Sequence, residues 1–401
     1  MVILAINPGG GSTKIAVFKN RHCLLSENVV HPPAQLARYK MVLDQYQLRK
    51  EAVLEVIAPL GVKVPRKPLQ GGRHGRTRAE SVGGRPAGSP PAADARVKSP
   101  LSALSLDAIV SRGGPLLPMP GGVYRVTIRV ASDIRRGRVQ TLHPSLLGPL
   151  ISYELGEDLG VPAYFVDPES TDEFWDVSRV SGLKGIERRS LSHALSCRTV
   201  AKAAARKIGR KYEKCNFVVV HLGTGFTVAA HVKGRQVDAS NANAEGPLSP
   251  QRAGSLPSPA LVRLCYSGRY SEAEVLDLLQ RKGGLYSYFG TDDVPAIEAL
   301  VAKRNRQATL VYDAMIYQIA KEIGAQAAVC RGTVDAVVLT GGLARSRRLV
   351  SGLKGWIKGI SSRVLVFPGE EEMAALAERM LAVLNGEERP RNYEQEITIR
   401  R

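Results

Sequence analysis

The sequence predicts an α/β protein in which one strand–turn–strand unit is duplicated. The first unit is an apolar run over residues 2–6, a glycine-rich turn, and a second apolar run over residues 15–18. The second unit repeats this order at residues 217–221, 222–225 and 226–231. The length of 401 residues also exceeds what one ordinary core requires. Two related domains that face a shared cleft are the simplest explanation.

The first turn has the sequence NPGGGSTK over residues 7–14. Consecutive glycines have no Cβ, so their backbone amides can approach an anion closely and point at it together. Ser12 adds a hydroxyl donor and Lys14 adds a positive charge. An ordinary hairpin with a solvated lysine is the alternative, and no helix pattern follows Lys14 as it would in a Walker-type loop. The repetition of the turn favours phosphate binding.

The other elements follow in a regular order. We predict helices over 33–60, 145–159, 188–210, 257–267, 271–282, 293–304, 307–330 and 371–384, and strands over 106–111, 162–166, 335–339 and 363–367. The strand at 335–339 ends in a third glycine turn, TGGLA at residues 340–344, and a helix begins near Arg345. A Gly-Gly turn before a helix N-terminus can lie flat against the adenosine of a nucleotide.

Residues 61–105 differ from the rest of the chain in composition. They are mostly Arg, Gly, Pro, Ala and Ser, with little periodicity. Such a composition cannot bury a core, so we predict a disordered or loosely attached segment. An out-of-frame reading of a GC-rich gene produces the same bias. Resequencing the gene, or mass spectrometry of the native protein, would distinguish a true insertion from a frame error.

Composition excludes several classes of protein. The chain is 44% apolar and 23% charged, which is typical of a soluble globular protein, and no apolar run is long enough for a membrane span. The N-terminus lacks the pattern of a signal peptide. Five scattered cysteines and seven histidines without metal-ligand spacing argue against a disulfide framework or a zinc site and predict a cytoplasmic protein.

The formal net charge of +19 raises the question of nucleic-acid binding. Much of this charge lies in residues 61–100, which contain nine Lys or Arg against two Asp or Glu. That stretch has no aromatic residue that could stack on a base. We therefore predict no nucleic-acid partner.

Charged residues follow two of the predicted strands. Arg112, in the sequence SRGG, can present its fork to a carboxylate or phosphate, and a surface arginine in a turn is the alternative. Asp167 follows the apolar run at 162–166, and α/β folds commonly place functional groups at strand ends. Capping of the next segment is the alternative for Asp167.

The three glycine turns together resemble the actin-like ATPase superfamily, in which two related domains of ribonuclease H-like fold close on ATP. Further motifs resemble butyrate kinases of the acetate and butyrate kinase (acetokinase) family. They are AINPG at 5–9 with STK at 12–14, SRGG at 111–114, GGVYRV at 121–126, SHAL at 192–195, AEGPLSP at 244–250 with Arg252, LTGGLA at 339–344, and PGEEEM at 368–373. The resemblance covers residues 1–60 and 107–384. It implies an N-terminal domain over 1–185, a C-terminal nucleotide-binding domain over 186–384 and a polar tail over 385–401.

The resemblance implies transfer of the ATP γ-phosphate to a short-chain carboxylate, with butanoate as the expected acid, giving butanoyl phosphate and ADP. The implied catalytic residues are Arg112, His143, His193 and Arg252. The implied phosphate- and nucleotide-binding residues are Asn7, Gly9, Ser12, Lys14, Gly223, Thr224, Gly225, Gly341 and Gly342. Asp167 and Glu371 would position Mg²⁺, in part through water, and Glu372 is the alternative to Glu371.

Some residues depart from the family pattern. Gly10 and Gly11 stand where hydroxyl residues are usual, and Thr224 stands where glycine or asparagine is common. With residues 61–105, these departures leave impaired catalysis open. Beside a butyrate kinase, the alternatives are an acetate or propionate kinase and a non-catalytic nucleotide-binding relative. The presence of Arg112, His193 and Arg252 together argues against the last. We expect no membrane partner and a homodimer or higher homo-oligomer.

Overall fold

The computed structural model describes residues 1–62, 104–241, 243–369 and 372–397. The compositionally unusual segment 61–105 therefore lies mostly outside the described residues, and so does the predicted metal ligand Glu371. Within the described ranges, no helix combines the length and the hydrophobicity that crossing a bilayer requires.

The first sheet and its flanking helices are built largely from the N-terminal part of the chain. The elements are β1 (Val2–Pro8), β2 (Ser12–Lys19), β3 (His22–Val30), α1 (Pro33–Leu36), α2 (Tyr46–Ile57), β4 (Ala108–Arg112), β5 (Val123–Arg125), α3 (Ile128–Arg135), α4 (Leu147–Leu159), β6 (Ala163–Val166) and α5 (Asp176–Arg179).

The second sheet and the remaining helices follow. They are α6 (Ala194–Lys207), β7 (Asn216–Leu222), β8 (Phe226–Val232), β9 (Arg235–Ala239), α7 (Ser258–Cys265), α8 (Glu272–Gln280), α9 (Gly284–Phe289), α10 (Val294–Ala302), α11 (Arg306–Val329), β10 (Ala336–Gly341), α12 (Arg347–Ile357), β11 (Val364–Pro368), α13 (Glu372–Leu384) and α14 (Tyr393–Glu396).

The two sheets share one strand order. The first sheet has the order β3-β2-β1-β4-β6-β5 and the second has the order β9-β8-β7-β10-β11. In each sheet, three antiparallel strands form a meander. A later strand pairs in parallel with the first strand of the meander, and a further strand pairs in parallel with that one. The short strand β5 extends the first sheet antiparallel to β6. This common order supports the duplication that the two glycine turns predict.

Both sheets are covered on both faces, which explains why their strands are continuous apolar runs. In β1, Leu4 packs in a core that includes residues of α2 and α4, whereas Ile3 packs in a core that includes residues of α13. In β7, Val218 packs with α11 and α12, and Phe217 packs with α6. The glycine turns therefore extend from strands that are fully buried.

The C-terminal segment returns to the first sheet. Helix α13 follows the last strand of the second sheet, yet its buried residues Leu376 and Met380 pack with Ile3 of β1. Tyr393 of α14 is also fully buried, and its ring lies 6.4 Å from that of Phe165 in β6. The polar tail therefore contributes a side chain to the first core. The domain limits at residues 185 and 384 remain predictions.

The helix predicted over residues 33–60 is broken. Helix α1 ends at Leu36, and α2 begins only at Tyr46. The backbone N–H of Met41 donates to the carboxylate of Asp44 (2.9 Å), so a new helical segment is capped at this point. The predicted continuity was wrong because apolar periodicity alone does not reveal an internal cap.

The helix predicted over residues 188–210 begins only at Ala194. Arg188 instead binds the Glu245 carboxylate, with Nη2 2.9 Å from Oε1. The Ser190 hydroxyl donates to the backbone oxygen of Thr171 (2.6 Å). These long-range bonds hold the preceding residues outside the helix and place His193 at its N-terminus.

Candidate active site

The first glycine turn joins β1 to β2 and is held from behind by Arg49 of α2. The buried Arg49 guanidinium donates to the backbone oxygens of Gly10 (3.2 Å) and Ser12 (2.9 Å). The backbone N–H of His31 donates to the oxygen of Gly11 (2.8 Å). In a trans peptide the carbonyl and the N–H point in opposite directions, so these bonds direct amides of the turn away from α2. Convergent amides of this kind suit an anion.

Asn7, near the end of β1, contacts Glu372, the first residue of α13. Asn7 Nδ2 donates to Glu372 Oε2 (2.6 Å), and the Ser196 hydroxyl donates to Oε1 (3.0 Å). Burial would raise the pKa of Glu372, but nearby positive charge, that of Arg112 above all and also that of Lys14, outweighs it and lowers the pKa. Glu372 is therefore an ionised carboxylate, and Lys14 acts on it from the first turn.

The oxygens of Asn7 and Glu372 are of the kind that Mg²⁺ prefers. Asn7 Oδ1 is buried and has no hydrogen-bond partner among the described residues, so it is available to a cation or to water. Glu371 lies outside the described residues, whereas its alternative Glu372 contacts Asn7. Within the described ranges, no group of three or more His, Cys, Asp or Glu could hold a metal by itself. Water or phosphate oxygens would have to complete a Mg²⁺ shell here.

Arg112, at the end of β4, lies between two carboxylates. Its Nη1 is 3.3 Å from Glu372 Oε1, and its Nη2 is 3.1 Å from Glu169 Oε1. The Ser145 hydroxyl donates to Glu169 Oε1 (3.2 Å) and lies 2.7 Å from His143 Nδ1. Burial lowers the pKa of His143, and Glu169 opposes this effect. Glu169 thus joins Arg112 to His143, although the sequence did not identify it.

His193 stacks on His221, with ring centroids 4.1 Å apart and planes 14° apart. Its backbone N–H donates to Thr227 Oγ1 (3.3 Å), and its Nδ1 lies 2.8 Å from the same oxygen. The Thr227 hydroxyl can either donate to Nδ1 or accept from Nδ1–H, so this contact is compatible with both tautomers of the ring. Burial, then the charges of His221 and Arg112, lower the pKa of His193 well below its ordinary value. The ring is a neutral donor at pH 7.

Arg252 lies against the second glycine turn. A Cβ on Gly225 would lie 2.5 Å from Arg252 Nη1, so glycine at this position lets the guanidinium lie directly against the turn. The backbone oxygen of Thr224 accepts from the Ser249 hydroxyl (2.8 Å) and from the Gln251 N–H (3.2 Å), which joins the turn to the loop that carries Arg252. Arg252 Nε is buried and lacks a hydrogen-bond partner in the described part of the chain.

The four predicted catalytic residues lie in one site. The charges of Arg112 and Arg252 both lower the pKa of His143, and both lower the pKa of His193 as well. Charges act on one another in this way when they lie close together in a partly buried cleft. The structure therefore brings together side chains that follow four different strands or loops.

The other predicted phosphate- and nucleotide-binding residues lie in the three turns. The Gly9 N–H donates to the oxygen of Ser12 (2.7 Å) and closes the first turn. A Cβ on Gly223 would lie 3.1 Å from His221 Nε2. A Cβ on Gly341, whose φ is +92°, would lie 2.4 Å from the backbone oxygen of Leu222, so the third turn packs directly on the second. Gly342 begins a short 3-10 turn beside it.

Asp167 lies apart from these groups. Its Oδ2 accepts from Arg379 Nη1 (2.6 Å), and its Oδ1 is 3.2 Å from Arg198 Nε. Burial would raise the pKa of Asp167, but the charges of Arg379 and Arg198 outweigh it and the pKa is lowered. Arg198 belongs to α6 and Arg379 to α13, so Asp167 ties two helices to the first sheet. These contacts favour a structural role, and the metal role of Asp167 stays a prediction.

Residues 179–354 match the sequence model of the acetokinase family. This part of the chain is therefore similar to the acetokinase family. His193, Arg252 and the second and third glycine turns lie within the matched residues, whereas Asn7, Arg112 and Glu372 lie outside them.

Solved structures show the same fold over nearly the whole chain. The acetate kinase of Porphyromonas gingivalis matches with a TM-score of 0.69 and 18% identity over 94% of this chain and 98% of that one. The acetate kinase of Entamoeba histolytica has a TM-score of 0.67 at 14% identity, with coverage of 94% and 98%. A propionate kinase from Francisella tularensis subsp. tularensis SCHU S4 has a TM-score of 0.62 at 15% identity, with the same coverage. The predicted actin-like ATPase fold is confirmed.

Proposed function

We propose that this protein is a butyrate kinase, which transfers the γ-phosphoryl group of ATP reversibly to butanoate and gives butanoyl phosphate and ADP. The observation that carries this proposal is the convergence of Arg112, His193 and Arg252 beside the glycine turns of a chain that is similar in part to the acetokinase family.

The charges of the site suit the reaction. A carboxylate must approach a triphosphate, so positive groups have to offset their repulsion. Arg112 and Arg252 supply two permanent charges, and the buried Arg252 Nε lacks a hydrogen-bond partner among the described residues and is available to an anion. With its proton on Nε2, the neutral His193 ring would donate to an oxygen of the moving phosphoryl group. Since the substrate carboxylate is already ionised at neutral pH, no general base is required.

ATP would lie across the three glycine turns. The first turn, with Gly9, Ser12 and Lys14, would hold phosphate oxygens, and the amides that Arg49 and His31 orient would contribute donors. Gly223 and Gly225 would adjoin the β-phosphate, and the adjacent third turn at Gly341 would pack on adenosine. Asn7 and Glu372 would hold Mg²⁺, which when bound neutralises phosphate charge and orients the chain of phosphates.

The choice of butanoate rests on the motifs GGVYRV at 121–126 and AEGPLSP at 244–250, which resemble butyrate kinases. The second candidate is an acetate or propionate kinase, and the structural similarity to enzymes with those names favours it. One methylene in an apolar pocket changes specificity by only about 1–3 kcal/mol, so the acids must be compared directly.

An acyl-phosphate trap tests the proposal. Purified protein, Mg-ATP and hydroxylamine are incubated separately with acetate, propionate, butanoate and isobutyrate, and the hydroxamate is measured. We expect the strongest signal from the four-carbon acids. A hydroxamate signal that is strongest with acetate would support the same reaction with acetate as the substrate. No hydroxamate from folded protein that binds ATP would favour the non-catalytic nucleotide-binding relative.

The predicted homo-oligomer remains part of this proposal. Large apolar side chains are exposed on helices around the second sheet, among them Trp356 of α12 and Tyr317 of α11, whose rings are 5.3 Å apart. A patch of this kind is typical of a protein interface. Sedimentation of wild type and Trp356→Glu would test it, and we expect the substitution to produce monomer.

A further inference from the structure

The site contains one carboxylate that the proposed reaction does not use. Glu169 follows β6 and lies with its Oε1 3.1 Å from Arg112 Nη2, and both side chains are only 15% exposed. The same oxygen is 3.8 Å from His143 Nδ1 and accepts from the Ser145 hydroxyl. Glu169 is therefore held by the groups that surround the proposed substrate position.

Glu169 also acts on the second arginine of the site. Burial lowers the pKa of Arg252, and the negative charge of Glu169 opposes this effect. Arg112, His143 and Arg252 thus all interact with one protein carboxylate. These are the residues that the proposed function assigns to an acid or a phosphoryl group. An internal anion with the oxygen geometry of a short-chain acid already lies among them.

The backbone around Glu169 is anchored independently of its side chain. The Glu169 backbone oxygen accepts from the Ser192 N–H (3.1 Å), which anchors the chain. Two residues earlier, Asp167 is fully buried and bound by arginines of α6 and α13. A structural ion pair is therefore already supplied at this strand end by Asp167, and Glu169 is not needed for that purpose.

We propose that Glu169 occupies the anion position of Arg112 in the ligand-free protein and is displaced by the substrate carboxylate. This inference rests on the proposed function for the identity of the acid. The exchange substitutes one carboxylate for another on the same guanidinium, so the buried positive charge keeps a counter-charge throughout. The acid has to compete with Glu169, which weakens its apparent affinity.

Calorimetry with butanoate tests the inference on the full chain. Wild type is compared with Glu169→Gln, which keeps the shape and removes the charge, and with Glu169→Asp, which keeps the charge. Glu157→Gln, at an exposed position of α4, is the matched control. We expect Glu169→Gln to bind butanoate about three- to tenfold more tightly, equal to about 0.6–1.4 kcal/mol. We expect Glu157→Gln to bind as wild type does.

Kinetics with the same variants separate competition from a merely structural role. We expect Glu169→Gln to lower the KM for the acid by a similar factor and to leave the KM for ATP unchanged. Equal or weaker binding of butanoate by Glu169→Gln, including no detectable heat with either protein, overturns the inference. If Glu169→Gln binds butanoate more tightly but no variant forms hydroxamate, the role of Glu169 is supported and the proposed kinase activity is contradicted. If Glu169→Gln forms hydroxamate with an unchanged KM for the acid, the proposed kinase activity is supported and the role of Glu169 is contradicted.

Discussion

The two duplicated glycine turns are alike in sequence and differ in how they are held. The first turn is fixed by Arg49 and by the N–H of His31, which bind its carbonyl oxygens from outside the cleft. The second turn is bound by the loop that carries Arg252, through the oxygen of Thr224 and the close approach to Gly225. The first turn therefore depends on a structural arginine and the second on a predicted catalytic one.

The two halves therefore share the strand–turn–strand unit, but different contacts stabilise the turn in each half. The support of the first turn comes from α2, which follows β3, whereas the support of the second turn comes from the loop that follows β9 and carries Arg252. Damage to the first turn should appear mainly in stability. Damage to the second should appear mainly in the rate of phosphoryl transfer.

The largest expected effect is that of Arg252→Ala. Loss of one preorganised donor to developing charge costs about 10²–10³ in kcat. Stability should change little, because Arg252 Nε has no hydrogen-bond partner among the described residues. Hydroxamate formation measures the rate and thermal unfolding measures the fold. A large fall in stability with a near-normal kcat would contradict the comparison.

Arg49→Met should produce the opposite pattern. Arg49 is fully buried, and its removal takes away the hydrogen bonds that its guanidinium donates to the oxygens of Gly10 and Ser12. We expect the free energy of unfolding to fall by about 2–4 kcal/mol, together with a higher KM for ATP. Urea unfolding measures the first effect, and the exposed Arg38→Met is the control. If Arg49→Met is as stable as Arg38→Met, the first turn does not depend on Arg49 for its stability.

Gly225→Ala and Gly10→Ala compare the two turns directly. A Cβ at Gly225 would overlap the Arg252 guanidinium, which is flexible and can move aside. We therefore expect kcat to fall about tenfold through displacement of Arg252, with a small loss of stability. A Cβ at Gly10 meets no atom within 4 Å. We expect kcat of Gly10→Ala to fall by at most a few-fold. Equal falls in kcat in both variants would contradict the difference between the two turns.

The smallest effect concerns His31, whose Nε2 lies 2.9 Å from Thr13 Oγ1 behind the first turn. Burial, and then the charge of Arg49, lower the pKa of His31 below 6.5. The unfolded chain gains a proton near pH 6.5 that the folded chain resists, so stability is present above that pH and is lost as the pH falls. His31→Gln should reduce this loss between about pH 7 and pH 5.

The control for this titration is His22→Gln, because His22 is exposed on β3. We expect His22→Gln to show the same decline in stability with falling pH as wild type, in unfolding measured at several pH values. If the stability of His31→Gln falls with pH as steeply as that of wild type, His31 does not contribute to the pH dependence of stability.

Much of the site could be predicted from the sequence because its members lie in short local motifs. Arg112 and the glycine turns belong to short motifs whose position at a strand end follows from the adjacent apolar run. His193 and Arg252 were instead predicted from the motifs SHAL and AEGPLSP, which resemble those of butyrate kinases. The structure brings them together, as the shared electrostatic effects on His143 and His193 show. Their roles in catalysis remain predictions. Arg49 could not be found in this way, since nothing in the sequence of α2 marks it as a partner of a turn 37 residues earlier.

The sequence by itself determined the α/β class, the duplicated strand–turn–strand unit and most helix positions, because apolar periodicity and glycine turns are local properties of the chain. The tertiary structure decided which charged groups face the cleft. Asp167 and Glu169 are two residues apart, yet a backbone φ of 37° at Asp167 accompanies its burial among arginines while Glu169 contacts Arg112. Asn7 and Glu372 meet across 365 residues because α13 packs on the first sheet. Such contacts arise from packing between distant elements, which no local pattern encodes.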